Sequence, residues 1–228
     1  MAAWPGMGML ARMSADYLIQ QLEAKLFAEL HSPSNDILFK DGLGTSGEYM
    51  HSFYYVTTKT IDLIICVGEM QPQTQNDVDQ LAHKILEFAK KFGVKRVCTF
   101  AAVPNPQAGT PKVFGVVNKP ELLEFLKQKN IQPVTGDGRI TGLNGILITV
   151  AEQLKMDGIC LLGEIRYLDI PQPRSVQSVL NALTQILDIK IDTTILQQQA
   201  EEIEQKIEEI IEHRMSPDNR SKEPRYIS

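Results

Sequence analysis

Cysteine is scarce. The three present, Cys66, Cys98 and Cys160, are odd in number, far apart and each set in an apolar run. Neither a disulfide framework nor a thiolate metal site has that spacing, so the expectation is three reduced core thiols in a cytoplasmic protein. Long apolar stretches are missing too: nothing approaches the ~18 consecutive apolar residues of a membrane span. The start Met1-Ala2-Ala3-Trp4-Pro5-Gly6 has neither the basic nor the apolar stretch of a signal peptide. No membrane partner is expected. Basic charge is not in excess, with 23 Lys and Arg against 28 Asp and Glu, and the cations are scattered. Nucleic-acid binding through a phosphate-neutralising surface is therefore disfavoured. The four histidines, His31, His51, His83 and His213, have no metal-ligand spacing. No Ser, His and Asp form a catalytic motif, and there is no G-x-S-x-G elbow. No catalytic residue, metal or tightly held cofactor is assigned.

What is present is the pattern of an α/β protein. Ile61–Val67, Val94–Val103 and Asp157–Leu162 are near-continuous apolar runs, as strands covered on both faces require. Between the first two lies a helix with Val78, Leu81, Ile85, Phe88, Ala89 and Phe92 on one face. Asp77 and Asp79 sit in its first turn, Lys90 and Lys91 in its last, and Gly93 stops it. Leu143–Leu154 and Val176–Leu187 are two more helices, the latter opened by Pro173. Gly8–Leu22 and Lys119–Lys129 read as helices, Lys25–Leu30 and Val113–Val117 as strands, and Pro104, Pro106, Gly109 and Pro111 punctuate a loop. Alternating helices and buried strands predict a sheet between helical layers.

The chain divides into an α/β core (1–190), an acidic helix (191–214) and a polar, disordered tail (215–228). Leu196, Ala200, Ile203, Ile207 and Ile210 follow heptad spacing, which makes Leu196, Ile203, Ile207 and Ile210 a candidate oligomer seam. Against it stands packing of the helix along its own domain.

Two strands end in the same dipeptide, Gly68-Glu69 and Gly163-Glu164. Ligands of open α/β sheets bind at strand carboxyl ends, so Glu69 and Glu164 are a candidate crevice for a ligand or partner, the alternative being two turn-forming carboxylates. The loop Gly136-Asp137-Gly138-Arg139-Ile140-Thr141-Gly142 runs into a helix, and Gly136, Gly138 and Gly142 would border that crevice. The loop lacks the Gly-Lys-Ser/Thr ending of a P-loop, which favours a structural or partner-facing role. Gly6-Met7-Gly8-Met9-Leu10-Ala11 fits a dinucleotide fingerprint, with Glu29 beyond it, but only five residues precede it, too few for the strand the fingerprint needs.

Gly138-Arg139-Ile140-Thr141-Gly142-Leu143-Asn144-Gly145, then Cys160-Leu161-Leu162-Gly163-Glu164, Pro171 and Pro173, and the helix Ser175–Leu187 resemble the proteasome assembly chaperone 2 family. Pro5-Gly6-Met7-Gly8, Tyr17-Leu18 and Val67-Gly68-Glu69 are similar to it as well, so the resemblance covers residues 4–190. It implies a three-layer α/β/α fold with a mostly parallel central sheet, related to nucleoside phosphorylases, here with an added carboxyl-terminal helix. It also implies homo-oligomers without established catalysis; archaeal relatives assist proteasome assembly or bind the α-ring. Some dock through a hydrophobic-Tyr-any terminus, from which Arg225-Tyr226-Ile227-Ser228 departs. The expected function is a homo-oligomeric protein-binding module whose partners are itself and proteasome α subunits. The alternative is a hydrolase or transferase acting on a nucleotide-like ligand at the Glu69/Glu164 crevice.

Overall fold

The apolar runs occupy the middle of the molecule, where burial on both faces puts them. The computed structural model describes residues 1–107 and 109–215. In chain order the elements are β1 (Ala2–Ala3), α1 (Leu10–Gln21), β2 (Lys25–Lys40), β3 (Leu43–Thr57), β4 (Asp62–Gly68), α2 (Gln75–Lys91), β5 (Arg96–Pro104) and β6 (Val113–Val117). They continue with α3 (Glu121–Gln128), β7 (Gln132–Pro133), α4 (Leu143–Gln153), β8 (Asp157–Ile165), α5 (Pro173–Leu187) and α6 (Thr194–Met215). A single 3-10 turn, Met7–Met9, joins β1 to α1.

The strands form two sheets, ordered β1-β4-β3-β2 and β5-β8-β6-β7. Because β5 runs alongside β1, the two meet edge to edge and make one central layer. Successive residues of a strand face opposite ways, and each face has its own helices. Ala2, Cys66 and Val97 meet Val78, Leu81 and Ile85 of α2 and Leu147 of α4. Ala3, Ile65, Phe100 and Leu161 meet Leu18 of α1, Leu126 of α3 and Val179 and Leu183 of α5. The expected three-layer α/β/α arrangement is present. Among the described residues three ladders are parallel and three antiparallel, so the layer is more mixed than a mostly parallel sheet. The antiparallel pairs come from β3, paired with β2 and β4, and from β6, which pairs with β8.

Residues 31–57 depart most from the sequence reading. The strand expected to end at Leu30 continues to Lys40, turns, and returns as β3. Asp41 and Gly42 sit at φ 52° and 82° between the paired Lys40 and Leu43, the two-residue primed turn that matches strand twist. Pairing with β4 stops at His51 opposite Gly68. Beyond it, among the described residues, β2 and β3 pair only with each other, an arm reaching about 25 Å past the end of β4 at ~3.3 Å per residue.

No described helix is long and apolar enough to cross a membrane. Residues 216–228, including Tyr226, lie outside the described ones.

Candidate functional site

The shared carboxylate crevice does not form. Glu69 follows the last residue of β4 and Glu164 lies near the end of β8, and β1 and β5 run between these strands. Three strand spacings of ~4.8 Å put them about 14 Å apart, too far for one carboxylate to act on the other. Glu69 is exposed, and its backbone N–H donates to the Met50 carbonyl at 3.2 Å. Glu164 is half-buried and accepts from Asn105 Nδ2 and from the Lys112 N–H, each at 2.9 Å. Its role in the structure is to clamp both ends of the loop after β5. Sequence spacing had no means of counting the strands between them.

The glycine-rich segments also turn out to be engaged. The Leu143 N–H, at the start of α4, donates to Gln71 Oε1 at 2.8 Å, and Gln71 Nε2 donates to the Pro5 carbonyl at 2.6 Å. Gly142 lies against that same Gln71 amide. A side chain thus stands where a phosphate oxygen would sit, while Gly136 and Gly138 have no neighbour within 4 Å of where a Cβ would be. The dinucleotide-like turn does follow a strand after all, the two-residue β1, which sequence pattern could not show. Yet the Gly8 N–H donates to the Leu168 carbonyl at 2.6 Å and the Met9 N–H to the Gly6 carbonyl at 3.0 Å. The segment 168–172 covers the turn, and no free cradle of amides remains there.

A polar triad that sequence reasoning missed lies over the end of β4, where Trp4, just after β1, reaches across Gly68 to His51 of β3 and Ser32 of β2. His51 is fully buried on β3; Ser32 Oγ is 2.9 Å from its Nε2, and Trp4 Nε1 is 3.1 Å from its Nδ1. Ser and His at this distance look like a nucleophile and its base. The third member decides otherwise. An indole N–H only donates, so Nδ1 must carry the lone pair, and the ring proton is on Nε2, donated to Ser32. The basic nitrogen faces Trp4, and Ser32 has no base. Burial, with a smaller contribution from the charge on His31, lowers the His51 pKa to about 4, keeping the ring neutral. Asn144 completes the cluster: its Oδ1 accepts from the Trp4 N–H at 3.2 Å and its Nδ2 donates to the Trp4 carbonyl at 3.4 Å. A Cβ at Gly68 would lie on the Trp4 indole, so glycine is required by close approach. This cluster builds the join between β1 and its neighbours and carries no armed nucleophile.

The oligomer seam is divided. Leu196 and Ala200 are buried within the chain's own core, where α6 packs on α5, so Leu196 is not available to a partner. Arg174 holds the helix with two bonds to the Glu204 carboxylate, 2.8 and 2.6 Å. Ile203 and Ile207 are half-buried and line a groove of about 480 Å³ with Tyr167, Pro171 and Pro173. The Ile210 side chain lies outside the described residues. The three cysteines are free and buried, as expected, and burial raises their thiol pKa values, that of Cys160 to about 12.

PbaB of Pyrococcus furiosus, described as an archaeal proteasome activator, is 31% identical, with a TM-score of 0.81 over 92% of this chain and 91% of that one. Pyrococcus furiosus PbaA, described as an archaeal homolog of proteasome-assembly chaperone, shares the fold: TM-score 0.74 at 23% identity, over 93% of this chain and 86% of that one. The Methanocaldococcus jannaschii protein MJ1210 is 29% identical over 209 residues, 90% of this chain and 80% of its own length. The PAC2 family model matches residues 1–211 of the 228, and the protein belongs to the PAC2 family.

Proposed function

We propose that this protein is a homo-oligomeric, non-catalytic binding module that assists the assembly of a proteasome or engages its α subunits. The likeness to PbaB over nine-tenths of both chains carries the reading, since that relative is described as a proteasome activator. The local chemistry supports it from the other side. The contact between Ser32 and His51 is disarmed by Trp4, and the carboxylates named from sequence belong to the ends of strands that are not neighbours. The enzyme alternative has lost the crevice it depended on.

Two measurements test the proposal. Light scattering at micromolar concentration should give at least twice the 25.6 kDa chain mass. Immobilised proteasome α-subunit rings should bind the protein with micromolar or tighter affinity. A monomer with no α-ring binding at 100-fold higher concentration would refute the reading.

A further inference from the structure

The β2–β3 arm carries its apolar side chains at the far end. Ile37, Leu38, Phe39 and Leu43 are 74%, 59%, 80% and 75% exposed. Directly opposed residues of an antiparallel pair share a face. Phe39 faces Gly44 and Ile37 faces Ser46 on one side of the ribbon; Leu38 faces Thr45 and Lys40 faces Leu43 on the other. Small partners leave Phe39 and Ile37 standing proud, and Ile37 packs over Gly44. The tip is therefore apolar on both faces. A flat partner would cover one face only; a hole covers both. An isolated two-stranded ribbon is marginal in water, and among the described residues no third strand joins this one beyond His51.

The chain has an apolar hole at its other end. A cavity of about 510 Å³ opens where β4 and β5 begin and α2 and α5 end, lined by Phe53, Ile64, Leu86, Val97 and Leu187. Tyr55 and Phe92, 46% and 56% exposed, stand on its rim, with Phe27 5.8 Å and 5.4 Å from them. Exposed Asp62 and Lys95 border it with half-buried Arg96 beside them, so charges of both signs stand at the hole as Lys40 and Asp41 do at the tip. Tip and hole lie on the same hairpin, at opposite ends of β3, so one chain's tip cannot reach its own hole.

We infer that the arm of one copy inserts its tip, with Phe39 and Ile37 leading, into the Phe53–Phe92 cavity of a second copy of this chain. Such a contact joins different surfaces of the two copies, so it repeats around a ring or is exchanged across a two-fold axis. The inference rests on the homo-oligomer reading above and names its contact.

The test combines a tip variant, Ile37→Ser with Phe39→Ser, and a cysteine pair, Phe39→Cys with Phe92→Cys. The buried native thiols do not compete for the cross-link. All substituted positions are exposed, so the far-ultraviolet circular dichroism of each variant should match that of the unmodified protein. The tip variant should fall to the mass of a single chain at a concentration where the unmodified protein is an oligomer. Mild oxidation should join the cysteine-pair variant into covalent multimers, with neither single variant doing so. An oligomer that survives the tip substitutions overturns the insertion and leaves the proposed function standing. Cross-linking by Phe39→Cys alone means arm-to-arm pairing and also overturns it. A tip variant that keeps its mass but loses α-ring binding assigns the tip to that partner instead. A monomeric unmodified protein overturns both proposals.

Discussion

Acidification should weaken this protein in a window where one histidine titrates in the unfolded chain but not in the folded one. Folded His51 stays neutral down to about pH 4, whereas in the unfolded chain it takes a proton near pH 6.5. Between those values the unfolded state binds more protons, so the contribution is complete above about pH 6.5 and is lost as pH falls toward 4. At ~1.36 kcal/mol per pKa unit, the loss is about 2 kcal/mol at pH 5 and about 3 kcal/mol at pH 4, an order-of-magnitude figure. Asp157, Asp192 and Glu204, whose carboxyls their hydrogen-bond partners hold below the usual value, lose their contribution below about pH 4, so the two windows separate. The chain has one tryptophan, Trp4, fully buried and bonded to the histidine in question. Its emission reports unfolding directly. Urea titrations at fixed protein concentration, at pH 7.5 and 5.0, measure the loss. In His51→Asn the amide oxygen can still accept from Trp4, but the titrating ring is gone. That variant should be less stable at pH 7.5 by about 1–3 kcal/mol and should lose the part of the dependence that His51 supplies, leaving the part due to the buried Met1 amino group, whose pKa desolvation lowers. An unmodified protein equally stable at both pH values, or a variant with the same dependence, refutes the assignment.

Two further outcomes follow from the geometry. Glu164→Gln should cost about 1 kcal/mol, because a neutral amide oxygen accepts more weakly from Asn105 and Lys112. Glu69→Gln, at an exposed position, should stay within about 0.5 kcal/mol; thermal melts at pH 7 compare them, and a rise in melting temperature for either contradicts the separation of the two carboxylates. Leu196→Ala should destabilise each chain by about 2–5 kcal/mol, because the side chain is buried in the core of its own subunit. Denaturant unfolding measures it, and dissociation of an oligomer with chain stability unchanged would restore Leu196 to the intersubunit seam.

Local pattern determined the layers. The helix over Val78–Phe92 and the runs around Ile65, Phe100 and Leu161 are set by periodicity and continuous apolarity, which arise within a few residues and need no knowledge of neighbours. Val113–Val117 and the start of α5 at Pro173 followed for the same reason. The hairpin arm was legible but unread: Asp41-Gly42 between Ile37–Phe39 and Leu43 is a turn signal in itself. Only the fold could decide which residues meet. Glu69 and Glu164 share a motif, but β1 and β5 part them, because strand order in a sheet does not follow chain order. Leu196 belongs to a heptad pattern that reads equally as a partner's contact or as core, until α5 is found against it. Trp4, Ser32 and His51 come together across 47 residues of chain, and the proton they share sits where a single indole N–H requires it to be. A composition can supply a serine and a histidine; whether one acts on the other depends on the third group the fold brings to them.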